Sequence, residues 1–147
     1  MLNHKYTRAI KITFLAFISI VTIATLQSCA RKITFLPSAE APAANGKVKI
    51  KKDQNDNYNI EVSIKRLSPA NKLTPPAKTY VVWIETDQNE TKNIGQINSS
   101  SSLLSSKLKA SLTAVSPSKP TRLFITTEEN GTAFYPGSRV VLTTKKF

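Results

Sequence analysis

The amino-acid sequence predicts an all-β fold, an antiparallel sandwich of two sheets with about seven strands. Several short segments alternate apolar and polar residues with a period of two, which is typical of strands that bury one face. Clusters rich in Pro, Gly, Asn and Asp separate these segments at short intervals, as turns do. Together these features indicate an immunoglobulin-like sandwich, which we expect over residues 46–147.

The first two predicted strands form a hairpin. Val48 and Ile50 alternate with lysines, and residues 58–65 alternate apolar with polar side chains. Residues 53–57 between them have turn composition. Placing Ile50 opposite Ile60 keeps the apolar residues of both strands on one face. We expect the lysines of this first strand to protect a sheet edge against the addition of another strand.

The hairpin turn also resembles the start of a calcium-binding loop. Asp53, Asn55 and Asn57 stand at alternate positions, as calcium ligands do in such loops. Tyr58 stands where that loop needs a Gly, and Ile64 where it needs a bidentate Glu. The sequence therefore predicts a plain turn here.

The middle of the chain contains the most apolar strand. Residues 67–78 carry three prolines and are expected to form a loop. Residues 80–84 (Tyr-Val-Val-Trp-Ile) are apolar on both faces, which predicts a central strand with Trp83 in the core rather than stacked on a ligand. A shorter strand follows at 93–97, where Gly95 indicates a bulge or a close backbone approach.

The last third of the chain is less uniform. Residues 99–102 are four serines and are expected to form a linker. Residues 103–115 fit either a helix or a strand, and their hydroxyl side chains favour a strand over 107–115. Further strands are predicted at 121–128 and 139–144, with turns at 129–131 and 135–138.

The first 29 residues have the pattern of an export signal. Three basic residues (Lys5, Arg8, Lys11) precede an apolar run over 12–26, and the sequence Leu26-Gln27-Ser28-Cys29 ends it. This resembles a bacterial lipoprotein signal, with cleavage between Ser28 and Cys29. The alternative is an uncut membrane anchor. Fifteen residues form only about 22 Å of helix, which is short of the ~30 Å hydrocarbon core.

The resemblance to lipoproteins implies a lipid on the Cys29 sulfur that holds the protein to a membrane. Ala30 is not the Asp that retains many such proteins at the inner membrane, so the outer membrane, facing the periplasm, is expected. Arg31 and Lys32 could add weak attraction to anionic headgroups. Residues 29–45, which include Pro37 and Pro42, are predicted to be the lipidated Cys and a flexible tether.

The chain is strongly basic. The predicted signal peptide contains three of the 21 basic residues, which leaves 18 against nine acidic ones, a net charge of +9. Such a charge suits contact with lipopolysaccharide or acidic glycans, but the lysines are spread along the sequence, which favours simple solvation. His4 and Cys29 are the only histidine and cysteine, so no disulfide, cofactor or His/Cys metal site is expected in the mature chain.

A second resemblance covers about half of the mature chain. Residues 80–84, Gly95, 124–128 (Phe-Ile-Thr-Thr-Glu), 135–137 (Tyr-Pro-Gly) and 140–142 (Val-Val-Leu) are similar to the extracytoplasmic domain of anti-sigma-K factors. That family has paired glycines where this chain has Asn-Gly at 130–131. Its cytoplasmic sigma-binding segment is not expected ahead of a cleaved signal. The resemblance therefore implies a sensor-side domain that does not itself sequester a sigma factor.

The residues predict no catalytic centre. Without histidine or a free thiol there is no base or nucleophile of the usual kinds. The carboxylate pairs Glu85/Asp87 and Glu128/Glu129 are expected to be solvated turn residues. We therefore expect a non-catalytic module that binds an envelope protein and no nucleic acid. A polyanion-binding protein is the alternative, and a hydrolase a remote third.

Overall fold

The structure, a computed structural model, describes the backbone of residues 30–98, 100–102 and 105–147. The predicted signal peptide, with its cleavage site at Ser28 and lipidation site at Cys29, lies outside these residues. The strands are β1 (Arg31–Thr34), β2 (Asn45–Lys52), β3 (Tyr58–Lys65), β4 (Thr79–Thr86), β5 (Thr91–Ile97), β6 (Ser100–Ser102), β7 (Ser105–Ser116), β8 (Pro120–Glu128) and β9 (Val140–Thr143), with one short 3₁₀ helix at Ala70–Lys72.

The strands form two antiparallel sheets, which confirms the predicted two-sheet sandwich. Sheet 1 has the order β1-β2-β3-β7-β6, and sheet 2 has the order β5-β4-β8-β9. The β2–β3 hairpin has the predicted register, with Ile50 opposite Ile60. Its turn is closed by Asp53, whose carboxylate accepts hydrogen bonds from the backbone N–H groups of Asn55 (2.8 Å) and Asn57 (3.0 Å). The predicted turn is thereby confirmed.

The core between the sheets follows from the period of two. Every second side chain of a strand points inward, so the inward side chains of sheet 1 pack against those of sheet 2. The inward residues include Val48, Ile50, Ile60, Val62, Ile64, Tyr80, Val82, Ile84, Ile97, Leu123, Ile125, Val141 and Leu142. Strand β4 is buried on both faces, as predicted, because its inner residues pack in the core between the sheets and Ala133 packs against its outer residues.

Trp83 is fully buried but does not lie in the core between the sheets. It points to the outer face of sheet 2, where it forms a second apolar cluster with Val81 and Phe124. The Trp83 and Phe124 rings stack with centroids 6.5 Å apart. The predicted burial of Trp83 is confirmed, and its predicted place among the central core residues is corrected. Successive side chains along a strand point to opposite faces of the sheet, so Trp83 faces away from the core that contains Val82 and Ile84.

The segment predicted to be a tether is part of the domain. Residues 31–34 form β1 and pair with β2 along its whole length. Phe35 then bridges to Thr144 at the edge of sheet 2, and the N–H of Leu36 donates to the carbonyl of Thr143 (2.8 Å). The prediction of a flexible chain up to residue 45 is therefore wrong from Arg31 onward. Four-residue β1 is too short to show a clear alternation, and its partners are distant in sequence.

Two further predictions are tested in the middle of the chain. The serine segment contains the short strand β6, which pairs with β7 through Ser100–Lys109 and Ser102–Ser105, so its prediction as a linker is corrected. Gly95 has φ of 132° beside a register shift in the β4–β5 pairing, and a Cβ there would lie 3.2 Å from Leu112 Cδ1. The bulge is confirmed, and the close neighbour of Gly95 is the Leu112 side chain rather than another backbone segment.

Tyr80 ties sheet 2 to the loop that precedes it. Its hydroxyl donates a hydrogen bond to the carbonyl oxygen of Ser68 (2.8 Å). Burial raises the pKa of Tyr80 to about 12, and the nearby positive charge of Arg139 opposes that shift. The phenol is therefore neutral and able to donate this bond throughout the physiological pH range.

Arg139 holds three separate segments at the opposite end from the β2–β3 turn. Its Nε pairs with Glu40 at 2.8 Å, and its two terminal nitrogens donate to the carbonyls of Pro75 (2.7 Å) and Thr74 (2.9 Å). The N-terminal segment, the proline-rich loop and the start of β9 are thereby fixed together. The bidentate guanidinium suits this role because it offers several donors in a fixed plane.

Candidate binding surfaces

A loop over residues 129–139, here called the covering loop, lies on the outer face of sheet 2. A chain of hydrogen bonds fixes its two ends. Trp83 Nε1 donates to Thr126 Oγ1 (2.7 Å), and Thr126 Oγ1 donates to Glu128 Oε1. The same Glu128 oxygen accepts the backbone N–H of Gly137 at 2.7 Å. The carboxylate of Glu128, the last residue of β8, thus connects the start of the covering loop to Gly137 near its end.

Asn93 on strand β5 fixes the middle of the covering loop. Its side-chain amide donates to the carbonyl oxygens of Gly131 (3.0 Å) and Ala133 (2.9 Å). Its Oδ1 accepts the N–H of Gly95 at the bulge (2.9 Å). Ala133 then packs on the cluster around Trp83. The loop is therefore held at its middle as well as at its ends, although it has no regular secondary structure.

The most exposed aromatic residues of the described chain stand on this fixed loop. Phe134 is 89% exposed and Tyr135 is 85% exposed. Beside them an open groove of about 620 Å³ lies between the loop and β5, lined by Lys92, Asn93, Ile94, Gly95, Gly131, Thr132, Ala133 and Phe134. Exposed aromatic side chains on a well-held backbone are typical of protein-binding surfaces, because little order must be gained on binding. No sequence period marks these residues, so the sequence alone did not indicate them.

The outer face of sheet 1 has the opposite character and is here called the lysine face. The residues between the inward apolar ones point outward, and among those whose side chains the structure describes six are exposed lysines: Lys32, Lys47, Lys49, Lys51, Lys65 and Lys109. Among the described outward residues of β1, β2, β3 and β7, Glu61 is the one acid, and it pairs with Lys49 at 3.2 Å. The lysines that are spread along the sequence therefore converge on one surface.

The strand register brings lysines directly beside one another. Lys32 lies opposite Lys49 in the β1–β2 pair, and Lys65 lies opposite Lys109 in the β3–β7 pair. Like charges at directly opposed positions destabilise a sheet. Edge protection does not account for Lys49, Lys65 or Lys109, because β2, β3 and β7 are not at an edge of sheet 1. The predicted edge position of β2 is corrected, and β1, with Lys32, is the edge strand. These two lysine pairs therefore lower the stability of sheet 1.

Three of the four candidate carboxylates have partners elsewhere in the structure. Glu85 pairs with Arg122 at 2.8 Å and with Lys146 at 3.9 Å. Glu128 accepts the hydrogen bond from Gly137 that holds the covering loop, whereas its neighbour Glu129 pairs with Lys78 at 2.8 Å. The hydrogen bond between Lys78 and Glu129, and then the charge of Glu129, raise the pKa of Lys78. Each of these three glutamates has a structural partner.

The described ranges 30–98, 100–102 and 105–147 contain no cluster of three or more His, Cys, Asp or Glu residues that could hold a metal ion. Within the same residues, no helix is long and apolar enough to cross a membrane. Comparison with known proteins found no matching family model, no matching curated protein and no matching solved structure.

Proposed function

We propose that this protein is a lipid-anchored envelope lipoprotein whose β-sandwich binds a protein partner and catalyses no reaction. The observation that carries the binding role is the pair Phe134 and Tyr135, both more than four-fifths exposed on a loop that is held at three points. Exposed aromatic anchors of this kind contribute a large share of the energy in many interfaces.

The proposed anchor rests on the sequence that precedes the domain. A basic start, a fifteen-residue apolar run and Leu26-Gln27-Ser28-Cys29 are the pattern of a cleaved lipoprotein signal. Lipidation of Cys29 would hold the sandwich at the outer membrane, facing the periplasm. Two or more acyl chains are needed for a stable attachment, and a diacylglyceryl group supplies two.

The non-catalytic role is supported by the partners of the acidic residues. A general acid or base needs a carboxyl group that is free to exchange a proton with a substrate. Glu85, Glu128 and Glu129 instead stabilise an ion pair, the covering loop and a surface contact. The resemblance to the sensor-side domain of anti-sigma-K factors is consistent with a binding role.

The proposal is tested by photo-crosslinking in living cells. A photoreactive amino acid replaces Ser138, which is exposed on the covering loop, in the full chain. We expect a discrete crosslinked band with one envelope protein, and Phe134→Ala with Tyr135→Ala should weaken that band at least tenfold, because hot-spot aromatics each contribute about 2 kcal/mol or more. Mass spectrometry of the same sample should find diacylglyceryl on Cys29 at the new N-terminus.

The matched control is Val115→Ala, since Val115 is also an exposed apolar residue, at 59%, but belongs to the lysine face. It should leave the crosslink unchanged. Equal weakening by Val115→Ala, or crosslinking only to an acidic glycan or lipopolysaccharide, would contradict the proposed partner. An intact Met1 or an unmodified Cys29 would contradict the anchor.

A further inference from the structure

The position of β1 sets how far the domain can stand from its proposed anchor. Cys29 precedes Arg31, the first residue of β1, by two positions. Two residues span at most about 7 Å. The electrostatic screening length at physiological salt is about 8 Å. A lipid on Cys29 would therefore hold the edge of sheet 1 within one screening length of the headgroups, whereas a tether ending at residue 45 would not.

The face that this edge presents is the lysine face. β1 is the edge strand of sheet 1, and Lys32 on it stands in one cross-strand row with Lys49 and Glu61. Neighbouring strands are about 4.8 Å apart, so the six lysines share an area roughly 20 Å across. The covering loop lies on the other sheet and points the opposite way. When the lysine face lies on the membrane, the covering loop therefore points away from it.

A depression within the lysine face offers a place for a phosphate group. It has a volume of about 290 Å³ and is lined by Lys32, Thr34, Asn45, Gly46, Lys47, Ser63 and Lys65. Three lysines line it together with two hydroxyl side chains and an asparagine, and the polar ends of these side chains can donate hydrogen bonds to a phosphate. Among the described residues, no acidic side chain lies within 4 Å of the ammonium groups of Lys32, Lys47 or Lys65.

We propose that the lysine face lies on the anionic lipid headgroups of the membrane that carries the anchor, with a lipid phosphate in this depression. The inference rests on the proposed lipidation of Cys29. Attraction to phosphates explains why lysines are opposed to lysines in the sheet, since anionic headgroups offset the repulsion between them. In this orientation Phe134 and Tyr135 point away from the membrane, towards a partner in the periplasm.

The test measures which face the membrane covers. The mature lipoprotein is reconstituted into vesicles of phosphatidylcholine, with or without 30% phosphatidylglycerol. A single thiol is introduced by Ser63→Cys on the lysine face or by Ser138→Cys on the covering loop, and an uncharged maleimide labels it. With Cys29 lipidated, the introduced thiol is the only one in the chain. We expect phosphatidylglycerol to slow labelling at position 63 at least tenfold, 0.5 M NaCl to reverse this, and position 138 to be unaffected.

Charge variants show whether the lysines themselves are responsible. Lys47→Gln, Lys51→Gln and Lys65→Gln together should weaken the docked state about 100-fold, because each lysine near an anionic surface contributes roughly a factor of five. Protection of position 63 should then disappear. The control, Lys72→Gln with Lys78→Gln, removes charge from the loop that precedes β4, away from this face, and should retain the protection.

The outcomes separate the inference from the proposed function. Lipidated Cys29 with equal labelling at position 63 in both vesicles overturns the docking and leaves the anchor intact. An unmodified Cys29 overturns the anchor, and the docking with it. A third outcome is that position 63 becomes protected only when soluble dextran sulfate is added to phosphatidylcholine vesicles. This would assign the lysine face to an acidic glycan and overturn the lipid contact.

Discussion

Trp83 shows how one residue can join the fold to a binding surface. Its ring is fully buried between Phe124 and the covering loop, although it points to the outer side of its sheet. Its Nε1 donates to Thr126, which in turn donates to Glu128. The stacked ring thus supports the loop from below, and its indole nitrogen orients the hydroxyl that holds the loop at its start. Loss of the ring should therefore affect both stability and the position of Phe134.

The first prediction concerns the replacement of Trp83. Trp83→Ala should lower the free energy of unfolding by about 3–5 kcal/mol, because it removes a buried aromatic side chain and leaves a cavity. Trp83→Phe should lower it by about 1–3 kcal/mol, because most of the buried area remains but the hydrogen bond to Thr126 is lost. Urea denaturation followed by circular dichroism measures both. Val115→Ala, at an exposed site, should change stability by less than about 0.5 kcal/mol.

A loss below about 1 kcal/mol for Trp83→Ala would mean that the covering loop does not bury the ring. Trp83 would then be accessible, and ligand stacking would be its better explanation. The same samples give an independent reading, because a buried indole is protected from aqueous quenchers of its fluorescence. The chain has a single tryptophan, so the signal belongs to Trp83 alone.

Strand β1 is the element whose role changes most between sequence and structure. Ile33 and Phe35 pack against the central core from the segment that the sequence predicted to be a tether. Ser38 donates from its Oγ to the carbonyl of Val141. These contacts close the side of the sandwich where β9 would otherwise be an open edge.

The second prediction tests this closure. Phe35→Ala should lower the free energy of unfolding by about 2 kcal/mol, because a half-buried ring loses its contact with the core. Pro42→Ala, an exposed position of the same segment, should change it by less than about 0.5 kcal/mol. Urea denaturation distinguishes the two. If residues 31–45 were a flexible tether, neither change would alter the free energy of unfolding. That result would show that β1 is not part of the folded domain.

The sequence predicted those elements whose pattern is local. The β2–β3 hairpin and two-sided burial of β4 follow from alternation and composition within a few residues. β1 and β6 were missed because each is short and is stabilised by pairing with a distant strand. The two surfaces were missed for a related reason. The clustering of lysines depends on which strands are neighbours, and the exposure of Phe134 depends on the bonds of Asn93.

At the scale of the whole molecule, the two outer faces differ in chemistry and point in opposite directions. The described side chains on the outer face of sheet 1 include six lysines and one glutamate, whereas sheet 2 presents the covering loop with its two aromatic side chains. The sandwich between them is about 10 Å thick from sheet to sheet, so neither face reaches the other's ligand. A protein held at the corner of sheet 1 can therefore contact a membrane with one face and a partner with the other.

The last prediction follows from the charge of this arrangement. The mature chain has a net charge of +9, and six of its lysines share one face, so repulsion within the folded state should lower its stability at low salt. Raising NaCl from 50 to 500 mM should increase the free energy of unfolding by about 1 kcal/mol, because screening acts on the opposed pairs Lys32–Lys49 and Lys65–Lys109. The ion pairs among the described residues change little, since pairs at or near the surface contribute only about 0–1 kcal/mol each.

The charge variants used for the membrane test serve here as well. Lys47→Gln with Lys51→Gln and Lys65→Gln should stabilise the fold at 50 mM NaCl and remove most of the gain from salt, whereas the control double at positions 72 and 78 should not. Urea titrations at the two salt concentrations provide the measurement. A fall in stability with added NaCl would show that attractive ion pairs outweigh the repulsion on the lysine face. In that case there would be no net repulsion between the lysines for anionic headgroups to relieve, and membrane docking would lose this energetic support.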